Sequence, residues 1–268
     1  MSLPTTETLL LEQKDHALHI TINRPKVSNA MNLKMVHELM AAFESIKDDR
    51  EIRAVVLRGA GGHFCAGGDI KDMAGARAAA SKADKNSDPF YTLNREFGRM
   101  LTQVNTAPQV VIAVTEGAVL GGGFGLACVS DVAIAAESAR FGLPETGLGI
   151  PPAQIAPFVV NRIGLTQTRR LALLGARFNG TEAARLGIVH TVCSEADIDQ
   201  ELESILAQVK RCAPDANAIT KALILSVGNH ELDTVLDQAA TSFSGCVQGQ
   251  EGQEGTMAFI QKRQPNWS

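Results

Sequence analysis

Three consecutive glycines, Gly121-Gly122-Gly123, separate an apolar strand-like run from an apolar helix-like run in Glu116-Gly117-Ala118-Val119-Leu120-Gly121-Gly122-Gly123-Phe124-Gly125-Leu126-Ala127. Without a Cβ, each lets the backbone take dihedrals closed to other residues and lets a ligand approach the peptide N–H groups. The first turn of the following helix leaves its own N–H groups unpaired at the positive end of the helix dipole. Such a loop is suited to hold negative charge. A second loop of the same kind, Gly61-Gly62-His63-Phe64-Cys65-Ala66-Gly67-Gly68-Asp69, follows the apolar strand at residues 54–58, and two donor loops can form an oxyanion hole. Close packing of helix on strand also calls for glycine, so the first loop alone does not separate packing from binding.

A chain of 268 residues, 45% hydrophobic and 20% charged, can bury one sizeable core. The formal net charge of -4 argues against nucleic acid or a membrane surface as partner. A single Trp (Trp267) and a single Tyr (Tyr91) disfavour base stacking. The five cysteines, Cys65, Cys128, Cys193, Cys212 and Cys246, form no C-x-x-C pair, so neither a disulfide framework nor a zinc site is indicated. With no signal-like N-terminus and no apolar run of about 20 residues, the expected location is the cytoplasm.

Alternation of Leu18, Ile20 and Ile22 with His19 and Thr21 predicts a half-buried strand, and Asn32 is placed to cap a helix carrying Met35, Val36, Leu39, Met40, Phe43 and Ile46 on one face. Strand and helix then repeat: a strand at 55–57, a helix at 93–104, a strand at 110–114, the helix after the glycines, and a strand at 132–135. That order argues for an α/β core. Beyond Glu195 the pattern is helical, at 198–209, 214–227, 231–244 and 254–262. Residues 1–200 are expected to form the body carrying the site and 201–268 a helical oligomerisation region. The Ala-, Lys-, Asp- and Ser-rich stretch at 71–94 reads either as a mobile helical flap beside the site or as a surface insertion.

The glycine loop is not a nucleotide fingerprint, because Leu126 stands where G-x-G-x-x-G starting at Gly121 needs its last glycine, and no G-K-[ST] follows. The histidines show no metal-ligand spacing and no G-x-S-x-G elbow is present. Glu145 is different. It lies in the nearly uncharged stretch Phe141-Gly142-Leu143-Pro144-Glu145-Thr146-Gly147-Leu148-Gly149-Ile150-Pro151-Pro152, where desolvation would raise its pKa and suit it to proton transfer. A helix-terminal carboxylate or a surface ion-pair partner is the alternative for it. His63 is placed to shape the first loop or to serve as an ordinary turn residue; Cys65 and Cys128 read as small buried hydrophobes.

Taken together and in this order, the loop His63-Phe64-Cys65-Ala66-Gly67-Gly68-Asp69-Ile70-Lys71-Asp72-Met73, the turn Gly121-Gly122-Gly123, Pro144-Glu145 and the closing Phe259-Ile260-Gln261-Lys262-Arg263 resemble the crotonase superfamily of enoyl-CoA hydratases and isomerases over essentially the whole chain. The resemblance implies a spiral of ββα units with a C-terminal helical region, a homotrimer or homohexamer, a coenzyme A thioester as substrate, and no cofactor or metal beyond it. It places the two oxyanion donors on the N–H groups of Ala66 and Gly122 and the acid–base carboxylate on Glu145. Coenzyme A binding falls on Lys26, Val27, Ser28 and Ala30, with Asp69 and Ile70 near the adenine and Phe259 and Lys262 reaching across a subunit boundary.

One position departs from the pattern of two glutamates: the first falls on Gly125. A lone glutamate also suits a double-bond isomerase, and the missing carboxylate is the best support for a non-catalytic acyl-CoA-binding homologue. Residues 61–80 and 151–167 are similar to the isohexenylglutaconyl-CoA hydratases of acyclic terpene breakdown. That resemblance implies hydration of a branched 2-enoyl-CoA whose own carboxylate sits near Gly125, with Arg77 and Arg95 as candidates to bind it.

Overall fold

The computed structural model describes residues 3–69, 71–72, 74–75 and 88–267. Expectations that fall on Ile70, on Arg77 and on most of the 71–94 stretch lie outside these. A six-stranded sheet runs in the order β1 (Leu9–Lys14), β2 (Ala17–Ile22), β3 (Ala54–Gly59), β4 (Val110–Thr115), β6 (Val132–Ala136), β9 (Thr191–Cys193), with only β1 antiparallel to its neighbour. The central strands are buried on both faces and therefore read as unbroken apolar runs, Ala54 to Leu57 and Val111 to Val114. A smaller sheet orders β5 (Ala118–Leu120), β7 (Arg140–Gly142) and β8 (Arg177–Asn179).

Helices fill the crossovers. In the helix Leu33–Ile46, Asn32 caps the start by accepting from the Met35 N–H at 2.9 Å, and Met35, Val36, Leu39, Ala42, Phe43 and Ile46 are buried. This helix packs on Pro89–Thr106, which starts at the Asp88 cap and leans on Gly122–Val129. Gly122–Val129 is buried over its whole length and tied down by Phe124, whose ring meets Phe141 and Phe178 edge-on at 6.2 Å. A long helix, Ala156–Leu174, bends at Gly164 (φ +76°) and covers its other side. The C-terminal helices Ile198–Lys210, Pro214–Ser226, Leu232–Gln248 and Gln250–Ile260 follow as the periodicity predicts. No helix of the described residues is long and apolar enough to cross a membrane.

Candidate active site

Three chain segments run side by side in the same direction and end together. Cys65 pairs with Val119 in the parallel sense, its N–H donating to the Ala118 carbonyl and its carbonyl accepting from the Leu120 N–H, both at 2.9 Å. On the other flank β5 pairs in parallel with β7, Leu120 opposite Gly142, and the Gly121 N–H donates to the Gly142 carbonyl at 3.0 Å. Residues leaving the three C-terminal ends are Ala66-Gly67, Gly121-Gly122 and Leu143-Pro144-Glu145. Short parallel pairing thus gathers Ala66, Gly122 and Glu145, which lie 23 to 79 positions apart in sequence, and the C-terminal ends of parallel strands are where α/β proteins place ligands.

Gly121 has φ +48° and ψ −110°, a conformation that glycine tolerates and other residues resist. A Cβ on it would stand 2.5 Å from Oε1 of Glu145 and 3.5 Å from the Gly67 Cα, so its bare backbone lets the carboxylate and the first loop close around the turn. Glu145 opens a 3₁₀ turn, Glu145–Leu148, and its Oε2 is buried with no hydrogen-bond partner among the described residues. Burial pushes its pKa above the usual carboxylate range, with its own backbone N–H pulling the other way. Among the described residues it has no ion-pair partner, and although it stands at the start of a short 3₁₀ turn, its Oε2 is shut away from solvent.

The two N–H groups differ. Gly122 is the first residue of its helix, and no backbone bond among the described residues uses its N–H. The Ala66 N–H, expected to be a free donor, instead donates to the Ser28 carbonyl at 3.0 Å. That carbonyl is aimed by two left-handed residues in succession, Ser28 (φ +48°) and Asn29 (φ +58°). Asn29 is fully buried; its Nδ2 donates to the carbonyls of Ala60 at 2.8 Å and His63 at 2.6 Å, and its Oδ1 accepts from the Arg24 N–H at 2.8 Å. Arg24 also holds Asp69 in an ion pair at 2.8 Å. Burial alone would raise the Asp69 pKa, but the Arg24 guanidinium and the Lys71 N–H outweigh it and hold the carboxyl below its ordinary range. Asp69 therefore braces the loops against each other. His63 braces a third, its Nδ1 accepting from the Ala118 N–H at 3.1 Å.

Beyond Gly122 the surroundings are apolar. The Phe97 ring lies 3.3 Å from where a Gly122 Cβ would stand, and at Gly125 that point is met by Ile155 at 3.3 Å and Leu101 at 3.4 Å. The expectation that a substrate carboxylate sits near Gly125 is thereby corrected: aliphatic side chains fill the space, and none of them can balance a charge.

A sequence profile described as Enoyl-CoA hydratase/isomerase matches residues 12–268. The chain belongs to the enoyl-CoA hydratase/isomerase family. It is 31% identical to the short-chain-enoyl-CoA hydratase of Clostridium acetobutylicum, over 95% of each protein, and 30% identical to the crotonyl-CoA hydratase of Syntrophomonas wolfei, over 97% of this chain and 98% of that one. The structure of Pseudomonas aeruginosa AtuE superposes with a TM-score of 0.94 at 62% identity, covering 97% of this chain and 99% of that one. An enoyl-CoA hydratase/isomerase from Marinobacter aquaeolei superposes at 0.93 with 60% identity, covering 97% and 98%. The crotonase fold and superfamily expected from the motifs are thus the ones found.

In this hydratase/isomerase chain the remaining expected residues are spread out. Lys26 and Val27 stand exposed on the 3₁₀ turn Pro25–Val27, and Ala30 is half-buried where Arg24 donates to its carbonyl. Phe259 is exposed on the last helix and Lys262 sits in a left-handed turn after it; that helix packs on Leu232–Gln248 rather than on the site. Sequence reasoning missed Arg24, Asn29, Phe97 and Ile155. Cys65 and Cys128 carry no chemistry, since burial pushes their thiols to about 11 and about 12. Among the described residues no side-chain group has the makings of a metal site.

Proposed function

We propose that the protein adds water across the 2,3 double bond of a branched enoyl-CoA, with isohexenylglutaconyl-CoA as substrate and a 3-hydroxyacyl-CoA bearing a tertiary alcohol as product. The observation that carries the reading is the partly buried carboxylate of Glu145, whose Oε2 has no hydrogen-bond partner among the described residues, set against the Gly121-Gly122 turn. The thioester oxygen takes the Gly122 N–H and replaces the Ser28 carbonyl on the Ala66 N–H. Glu145 accepts a proton from water as its oxygen bonds to C3, electron density moves onto the thioester oxygen, and the same carboxyl then protonates C2. A raised pKa brings the carboxyl closer to the working pH, which favours both transfers, and a preorganised donor such as the Gly122 N–H is worth roughly 3 kcal/mol to the developing enolate. The preference for this substrate rests on the resemblance of residues 61–80 and 151–167.

One observation favours a second reading. Leu101 and Ile155 close the space at Gly125, leaving Glu145 as the carboxylate at the site, and one carboxylate suffices to carry a proton between C4 and C2 of a 3-enoyl-CoA. Replacing Glu145 with Gln should lower hydration by roughly 10²- to 10⁴-fold with the fold intact; retained turnover would remove Glu145 from the mechanism. Mass spectrometry separates the two readings, since hydration adds one water and isomerisation none. Assembly as a homotrimer or homohexamer belongs to the same proposal: Phe243 is 71% exposed and Phe259 85%, and both gain from burial against another copy.

A further inference from the structure

We propose that Arg95, set against Gln154, is the specificity-determining residue that receives a carboxylate on the far part of the acyl group. The inference rests on the reading above that the site takes an acyl-CoA thioester.

An acyl group anchored by its carbonyl at Gly122 has the Phe97 ring beside it, with Leu101 and Ile155 closing the space at Gly125, and none of these can neutralise charge. The polarity changes one turn earlier on the same helix. At Gly98 a Cβ would stand 1.9 Å from Oε1 of Gln154 and 2.8 Å from Nη1 of Arg95, so the missing side chain is what lets these two groups converge. Gln154 immediately precedes Ile155, which puts the polar cluster at the edge of the apolar wall. Its Nε2 donates to Oδ1 of Asn94 at 3.0 Å, while its Oε1 accepts from Arg95 at 3.3 Å.

Arg95 is half-buried, and this long bond to a neutral amide is its only side-chain hydrogen bond among the described residues. The neighbouring Arg99 differs: it is paired with Glu96, which also faces His37. No carboxylate of the described residues pairs with Arg95, which leaves a planar fork of donors beside an aliphatic surface. A carboxylate is the group that fits such a fork in a bidentate manner. The geometry therefore favours enoyl-CoA substrates that carry an acid a few carbons beyond the double bond, and it puts that acid at Arg95 rather than at Gly125.

Saturated thioesters test this without any reaction. Calorimetric titration should show glutaryl-CoA or adipyl-CoA binding more tightly than the matched butyryl- or hexanoyl-CoA by roughly 10- to 100-fold, the worth of a charge-assisted hydrogen bond. In Arg95→Met that ratio should fall close to one, and in Arg95→Lys, which keeps charge but loses the fork, it should be intermediate. A wild-type ratio near one, or a ratio unchanged in a folded Arg95→Met protein, overturns the proposal. Because none of these ligands can be hydrated, a failure here leaves the hydratase reading standing, and loss of that reading through Glu145→Gln leaves this one testable.

Discussion

Replacing Gly121 with Ala isolates the contact that holds the proposed machinery together. Two costs follow from the structure. At φ +48° and ψ −110° a Cβ is strained, which costs about 2 kcal/mol of stability and lowers the melting temperature by roughly 4–8 °C for a chain of this size. The new methyl also meets Oε1 of Glu145 at 2.5 Å, so the carboxylate must retreat by about 1 Å to reach ordinary contact, and a misplacement of that size costs on the order of 10²-fold in turnover. Steady-state hydration of the enoyl thioester, followed by loss of its conjugated absorbance, measures the second effect; thermal melting measures the first. The decisive comparison is made in the Glu145→Gln background. If Gly121 acts by admitting the carboxylate, Ala adds little further loss there, because the group it displaces has already been disabled. A full 10²-fold loss in that background would mean that the substitution acts by moving the Gly122 donor. Turnover of Gly121→Ala within threefold of wild type would refute the placement of Glu145 as the acid–base group.

Three more outcomes are expected. Asn29→Ala should cost roughly 3 kcal/mol or more, read by denaturant titration, since it strips the partners from the Ala60 and His63 carbonyls and the Arg24 N–H and leaves Ala at φ +58°; a loss below 1 kcal/mol would show that the three loops do not depend on it. In the native state a thiol reagent should label the exposed Cys212 first and spare Cys65 and Cys128, whose thiols stay protonated until unfolding. The acidic limb of kcat/KM should lie above the ordinary carboxylate value of 4.5, because burial raises the Glu145 pKa and the base form is lost as pH falls through it. By linkage the same shift makes the fold more stable below the unfolded-state pKa and removes that gain as pH rises through the folded one, so Glu145→Gln should stabilise the protein at neutral pH.

What is legible in the chain follows from how local its cause is. Strand β2, the helix Leu33–Ile46 with its Asn32 cap and the central strands announce themselves because their periods and caps lie within a few residues of one another. The three-residue strands β5, β7 and β8 do not, since three residues carry no period, and β5 hides inside the glycine-rich run. Ala156–Leu174 is hidden differently: Pro157 near its start and Gly164 at its bend break the helical pattern. Glu145 stands out because a charge in an apolar stretch is a local anomaly. That Ala66 is already bonded to Ser28 cannot be read from the chain, because a main-chain carbonyl has no sequence signature and its aim depends on Asn29 anchoring to a loop more than thirty residues away.

That Ser28 contact bears on how the site can accelerate a reaction. A buried N–H left without an acceptor is costly, so the fold satisfies Ala66 with a neutral carbonyl. A thioester oxygen that takes its place exchanges one neutral acceptor for another, and the ground state gains little from the swap. As the oxygen becomes an enolate the same N–H donates to a charged acceptor, and such bonds are roughly twice as strong. In the proposed mechanism the Ser28 carbonyl cancels ground-state binding at Ala66 and leaves the gain to the transition state, which is the only stabilisation that raises kcat. Gly122, with no such competitor among the described residues, contributes to both states. In that mechanism the two donors of one site divide the work: Gly122 captures the thioester, and Ala66 discriminates in favour of its anion.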